Sequence, residues 1–479
     1  MTDNATYSDR HGFPLGTTND TAASRYRDGV DLYMSGNPGG EAALRDAMAA
    51  DSEFALAPAA LTAVLRDSGR HDEARESAGL ARTLAVHASP RESSHVDVIA
   101  AMADGDGPRS FELMKAHLAQ FPRDALILLR ADRYLFYSGG ENRQQKQREL
   151  LDGFAGDYAD DWWFPGQYGF ALGECGDYDA AVAQAERSLE RNPRNIWAAH
   201  TLAHVYADTK DDEQGAAFLG PWLGDFDPRA PMFGHTSWHL ALFELGLGRY
   251  RRAMEVYTTG VCPAVCTHRS TLNNSASFLW RCMVYGYETT PAQWDEIQPL
   301  AERIAGPSQT EWDGMNAALA FAGGGNASGK DGLVAGLQEL GKDGRTMAVE
   351  VGLPLVEGAW AFAQGDYTET IRCMAPAIPQ IESVGGSNAQ HEVYWDALIE
   401  AYLRTEQFAE AETLQRRRLE PRPTVRDLYR LGRAQIGAGQ SEDGAATLRQ
   451  AAEGWRHADA DSPEVGAIEA LLGKAAPVY

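Results

Sequence analysis

Two pairs of histidines carry the chemistry that this sequence can most readily be read for. His200 and His204 lie in NIWAAHTLAHVYADT, and His235 and His239 lie in PMFGHTSWHLALFELG. Residues four apart share one face of a helix, so each pair presents two imidazoles in the same direction. Neutral imidazole is the commonest side-chain metal ligand, paired histidines at this spacing chelate well, and histidine also moves protons near neutral pH without a metal. The plainer reading is that these are buried histidines hydrogen-bonding between helices, as buried polar groups must. The spacing between the pairs sharpens the first reading: His200 to His235 and His204 to His239 are both 35-residue steps. That step is close to the ~34-residue period of stacked helix-turn-helix units, which set equivalent positions side by side.

The elements that would hold such pairs are legible along the chain. From about Asp20, apolar residues recur at three and four positions in TAASRYRDGVDLYM, EAALRDAMAADSEFA and APAALTAVLRD, with breaks at NPGG and SGRH. Alternating β-branched runs are almost absent, which leaves no sheet to form. ALGECGDYDAAVAQAERSLERNP closes one helix with a small residue and glycine, starts the next with Tyr178, places alanines where the two touch, and stops at Pro193. Small residues let antiparallel helices approach, and proline ends the second. LGLGRYRRAMEVY, FAQGDYTETIRCM and RTEQFAEAETLQRRRLEP repeat the pattern; RDSGRHDEARESAGLA and IGAGQSEDGAATLRQAAE are weaker copies. The expectation is an all-α, tetratricopeptide-like superhelical solenoid of antiparallel helix pairs. Residues 1–19 would form an extended N-terminal segment and residues 20–479 a single repeat domain. AFAGGGNASGKDGLVAG reads as a loop or short linker. SVGGSNAQHEVYWDAL reads as a glycine-rich turn entering a helix capped by Ser387 or Asn388; no lysine follows GGSN to make it a phosphate loop.

Composition narrows the classes. The chain of 479 residues has 68 acidic and 43 basic side chains, a net charge of −25. That balance opposes binding to phosphate backbones and anionic lipid surfaces, so neither nucleic acid nor membrane is an expected partner. No apolar run approaches the ~20 residues of a spanning helix, and MTDNATYSDRHG lacks a basic segment followed by an apolar one. A cytoplasmic protein is expected. Cys175, Cys262, Cys266, Cys282 and Cys373 are too few and scattered for a disulfide framework. CPAVC has no second cysteine pair to complete a zinc site, so reduced, structural thiols are the reading.

With these segments in view, the chain resembles the tetratricopeptide repeat protein 38 family along most of its length. The resemblance rests on PRESSHV at 90–96, WAAHTLAHV at 197–205, GHTSWHLALFELGLGRYRRA at 234–253, VGLPL at 351–355 and GGSNAQ at 385–390. It implies a helical-repeat fold and brings no established activity. The positions it singles out are His95, His200, His204, His235, Trp238, His239, Ser387, Asn388 and Gln390. In EWDGMNAALAF the animal relative carries a histidine where this chain has an apolar or small residue near 318, so no role passes to that position.

The expected site is a histidine-lined pocket for a small polar ligand, built from His200, His204, His235 and His239. It is catalytic if it moves a proton or activates water on a divalent metal. His95, with Glu92 a turn before it, would join if the array curls tightly. Trp238, Ser387, Asn388 and Gln390 would bind ligand; Trp163 and Trp197 would help wall the pocket; Asp208 and Glu244 are the carboxylates nearest in sequence. The alternative is a protein-interaction scaffold of the tetratricopeptide type, although the Lys, Arg and Asn clamps of such grooves are sparse.

Overall fold

The structure, a computed structural model, describes residues 7–137, 142–268, 270–305, 310–419 and 422–475. Among these residues the chain is all-α: helices follow one another from Asp20, and the one extended pairing is an isolated bridge between Ser8 and Pro14. It divides into two compact units. One comprises Met1–Leu202 with Phe226–Phe233, the other Ala203–Asp225 with Gly234–Tyr479.

The six sequence repeats fold as helix pairs, and the reason is local. In Trp163–Glu174 and Tyr178–Arg191 the turn is made by Gly176 at φ 81°. A Cβ on Gly169 would lie 2.9 Å from the carbonyl oxygen of Ala181, so only a residue without a side chain permits the approach. The pairs Leu56–Asp67 with His71–Leu84, Phe233–Gly246 with Tyr250–Gly260, Leu353–Ala363 with Tyr367–Ala377, and Val425–Gly437 with Ser441–Gly454 turn in the same way. Gly69, Gly248, Gly365 and Gly439 take the left-handed conformation after the first helix of each.

In the first unit, the segment before the helices is tied to helix Pro90–Ala103, which begins with PRESSHV. Asn19 caps the first helix, its side chain accepting from the amide of Ala22. The amide of Gly16 donates to Glu92 at 2.7 Å, and Arg91 donates to Asp9 at 2.9 Å. Glu92 is therefore spent on holding the N-terminal segment and on the capping box with Ser89.

The stretch AFAGGGNASGKDGLVAG is not a linker. Helix Glu311–Gly324 runs into it, Gly325 and Asn326 make the turn, and helix Ala327–Lys342 runs through the rest. Its glycines serve close packing rather than freedom: a Cβ on Gly323 would lie 2.3 Å from the Trp294 ring, and one on Gly329 would lie 2.6 Å from Phe321. The loop composition misled because glycine signals a turn and a helix crossing alike.

One repeat lacks the turn glycine. Between Asn388–Arg404 and Phe408–Arg417, Glu406 adopts φ 60°, a conformation that costs a side-chain-bearing residue roughly 1–2 kcal/mol. Glu406→Gly is therefore expected to stabilise the protein by about 1 kcal/mol, seen as a higher urea midpoint with unchanged m-value.

Candidate functional site

In the second unit, three histidines converge. His204 lies on helix Ile196–Asp208, and His235 and His239 lie a turn apart on helix Phe233–Gly246. Their ring nitrogens come within 4.8 Å of one another. The His204 and His239 rings are 4.8 Å apart between centroids, and those of His235 and His239 are 5.0 Å apart. His204 and His239 are buried, at 8% and 1% exposure. His200 lies one turn before His204 on the same helix, also buried, its ring stacked on Phe170 at 5.6 Å.

The third helix in the arrangement is Thr271–Tyr285, and the sequence reading missed it. Asn274, Ser277 and Arg281 form a polar stripe along its buried face at helical spacing. His235 Nδ1–H donates to Asn274 Oδ1 at 2.9 Å, and Trp238 Nε1–H donates to Ser277 Oγ at 2.9 Å. Both contacts span 39 residues, one repeat further along. A buried Asn-Ser-Arg stripe at positions i, i+3 and i+7, one repeat after an HxxxH helix, was the available signal.

Asn274 decides the tautomer of His235. With Nδ1 protonated and bonded, Nε2 presents a lone pair, the arrangement in which an outer hydrogen bond orients a metal-ligating imidazole. Burial, with smaller contributions from the charges of His204 and His268, pushes this imidazole down to about 4 against the bond to Asn274. It is neutral at pH 7, as a ligand or base requires. Trp238 stacks on His235 with ring centroids 5.3 Å apart and 15° between planes, and meets His239 edge-on at 4.8 Å.

The GGSNAQ segment divides between capping and the site's neighbourhood. Gly385 and Gly386 take φ 94° and 91°, and a Cβ on Gly386 would lie 2.4 Å from the Trp312 ring, so the turn demands glycine. Ser387 caps helix Asn388–Arg404 in a box with Gln390, whose side-chain oxygen accepts from the Ser387 amide at 3.0 Å. The box engages the Ser387 amide and hydroxyl and the Gln390 side-chain oxygen. Asn388 instead reaches Asp208, donating to its carboxylate at 3.5 Å, one turn beyond His204 on the same helix. His391, not singled out in the sequence, closes the turn through the carbonyl of Gly385 at 2.6 Å.

Other candidates are placed elsewhere. Trp163 is fully buried between Tyr158 and Phe164, and Trp197 lies under Arg133, so both belong to packing in the first unit. Glu244 bonds Arg249. Cys262 and Cys266 point at the carbonyls of Thr258 and Gly260, with burial pushing both thiols up, consistent with reduced structural cysteines.

His95 belongs to a separate group in the first unit, with His117 and Asp124, all buried. Asp124 Oδ2 lies 3.0 Å from His95 Nδ1 and 3.2 Å from His117 Nε2, and accepts from Arg91 Nε and Nη2 at 3.1 and 2.9 Å. Burial opposes the charge on Asp124, but His95 and Arg91 with the two imidazole bonds hold its carboxyl well below the usual range. The three side chains resemble a ligand set, yet Arg91 already supplies the positive charge that an ion would bring. The group locks helices Pro90–Ala103, Gly107–Leu118 and Ala125–Tyr137 together.

No protein-family model matches the chain. Among solved structures, the human IFIT1 dimer with m7Gppp-AAAA is similar, with 12% sequence identity over 92% of this chain and 91% of that one, at a TM-score of 0.38. The capped oligonucleotide is that protein's ligand, and a likeness this distant carries nothing about what this chain binds. No helix among the described residues is long and apolar enough to cross a membrane.

Two expectations follow. Asp124→Asn should destabilise the protein by roughly 3 kcal/mol in urea unfolding, because buried Arg91 keeps only Asp9 of its two carboxylate partners. The Asp124 contribution is present above the unfolded carboxylate pKa and is lost as pH falls through the depressed folded value. For His235 the sign gives a different window: its folded pKa lies below the unfolded value, so the unfolded chain binds the extra proton between about 6.5 and 4. In the presence of a chelator, stability should fall from pH 6.5 towards 4 by at most about 3 kcal/mol from this group, and His235→Gln should show a correspondingly shallower decline.

Proposed function

We propose that this protein is a member of the tetratricopeptide repeat protein 38 family in which His204, His235 and His239 hold a divalent transition metal. The ion acts on a small polar ligand. The observation that carries the reading is the convergence of three imidazoles from two helices, with nitrogens within 4.8 Å of one another and one ring held by Asn274. Zinc would sit about 2.0–2.1 Å from each imidazole nitrogen, so binding would draw the three nitrogens closer than the 4.8 Å that bounds them now.

Three imidazoles leave a tetrahedral position open for water or ligand, the pattern of catalytic rather than structural zinc. A metal there lowers the pKa of bound water towards 7 and polarises a ligand oxygen. That nucleic acid is not the partner rests on the net charge alone, and a protein-interaction scaffold is the reading that replaces this one if no metal binds.

The test is elemental analysis of the full-length protein after zinc loading and desalting. One zinc per chain is expected for the parent, and near zero for His204→Ala and His239→Ala. Metal-free parent protein, or equal loading of all variants, sinks the proposal.

A further inference from the structure

The polar stripe on helix Thr271–Tyr285 ends in a charge that the described residues leave without a counter-ion. Arg281 is 4% exposed, and a guanidinium stays protonated at any physiological pH. Its hydrogen bonds go to two neutral acceptors: Nη1 to the carbonyl of Ser277 at 3.2 Å, and Nη2 to the carbonyl of Ala389 at 2.6 Å. No carboxylate of the described residues forms an ion pair with it. Asp396, which feels its field, is bound to Arg430 and to Tyr285. The contrast with other buried arginines of the same unit is clear, since Arg426 pairs with Glu464 and Arg430 with Asp396.

Burying a charge without a counter-ion is costly, and an anionic partner would offset that cost. The position of Arg281 says what that partner must reach. Its guanidinium lies 5.9 Å from the centroid of the Trp238 ring, the ring that stacks on His235 and meets His239. Asn274 and Ser277, earlier on the same stripe, hold His235 and Trp238. Ala389, its other contact, sits in the first turn of helix Asn388–Arg404, where the helix dipole is positive, beside Asn388, which reaches the helix of His204.

We propose that Arg281 is the counter-charge for an oxyanion, a carboxylate or phosphate group of the small ligand taken by the histidine site, with Trp238 as the shared wall between the two. The proposal rests on the reading of the histidines as a ligand site and specifies the chemical class of that ligand: anionic rather than neutral or cationic. It also accounts for a cation buried on an otherwise acidic protein. Trp238, stacked on one imidazole and held by Ser277, keeps its ring plane fixed while an anion pairs with the arginine.

The experiment is calorimetric titration of the full-length, zinc-loaded protein with two probes separately, acetate and inorganic phosphate, with the metal content of every sample measured in parallel. The parent is expected to bind at least one of the two at one site per chain. Arg281→Gln is expected to keep its metal and to weaken that binding about tenfold or more, as loss of charge-assisted hydrogen bonds does. Which probe binds distinguishes a carboxylate ligand from a phosphorylated one. If Arg281→Gln fails to fold, Arg281→Lys keeps the charge and loses the fork; it should retain binding to a reduced degree, and undiminished affinity overturns the proposal. A zinc-loaded parent that binds neither probe, or an Arg281→Gln protein that binds as the parent does, also overturns it. If the parent holds no zinc but still binds an oxyanion in an Arg281-dependent way, the metal reading fails and this inference stands.

Discussion

Close approach of paired helices is the constraint on which the rest of the structure depends. Where Gly169 faces the carbonyl of Ala181, or Gly432 the side chain of Leu448, any Cβ would push the helices apart. Each such contact sets the spacing of one repeat. That spacing in turn decides which side chains of successive first helices meet. His235 finds Asn274, and Trp238 finds Ser277, at the same 39-residue interval because both pairs ride on one packing relation.

Polar groups drawn into so tight an interior must be compensated, and the two histidine groups show two ways of doing it. Around Asp124 the compensation is internal. Arg91 and two imidazoles converge on one carboxylate oxygen, and the same arginine and its neighbour Glu92 tie down the N-terminal segment. PRESSHV is thereby explained by anchoring. The three histidines of the second unit form an imidazole group instead, with His235 held neutral by burial and Trp238 at its border. Imidazoles without a paired charge suit a cation brought from outside, whereas a carboxylate already paired with arginine does not.

The turn of GGSNAQ illustrates how one motif serves two ends. Its glycines and its Ser387 and Gln390 make the start of a helix, a local task that the sequence declares through the capping-box pattern. Asn388, in the same six residues, reaches Asp208, 180 residues away in sequence. Nothing in the local pattern separates the residue that makes the long-range bond from those that make the cap.

What the sequence by itself determined is whatever is governed by neighbours in the chain. The helix pairs, their left-handed turn glycines, the start at Asp20 and the cap at Ser387 follow from propensity, periodicity and capping, all of which act within a few residues. The matching positions of His204 and His239 followed too, because a repeat turns sequence period into spatial proximity. Only the tertiary structure decided the rest. His95 went to Asp124 and His117, Trp163 and Trp197 went to packing, the glycines after Phe321 became a helix crossing, and Arg281 emerged as a buried charge beside Trp238. Each of these depends on which face of one helix meets which face of another, and periodicity tells that a face is buried without telling what it is buried against.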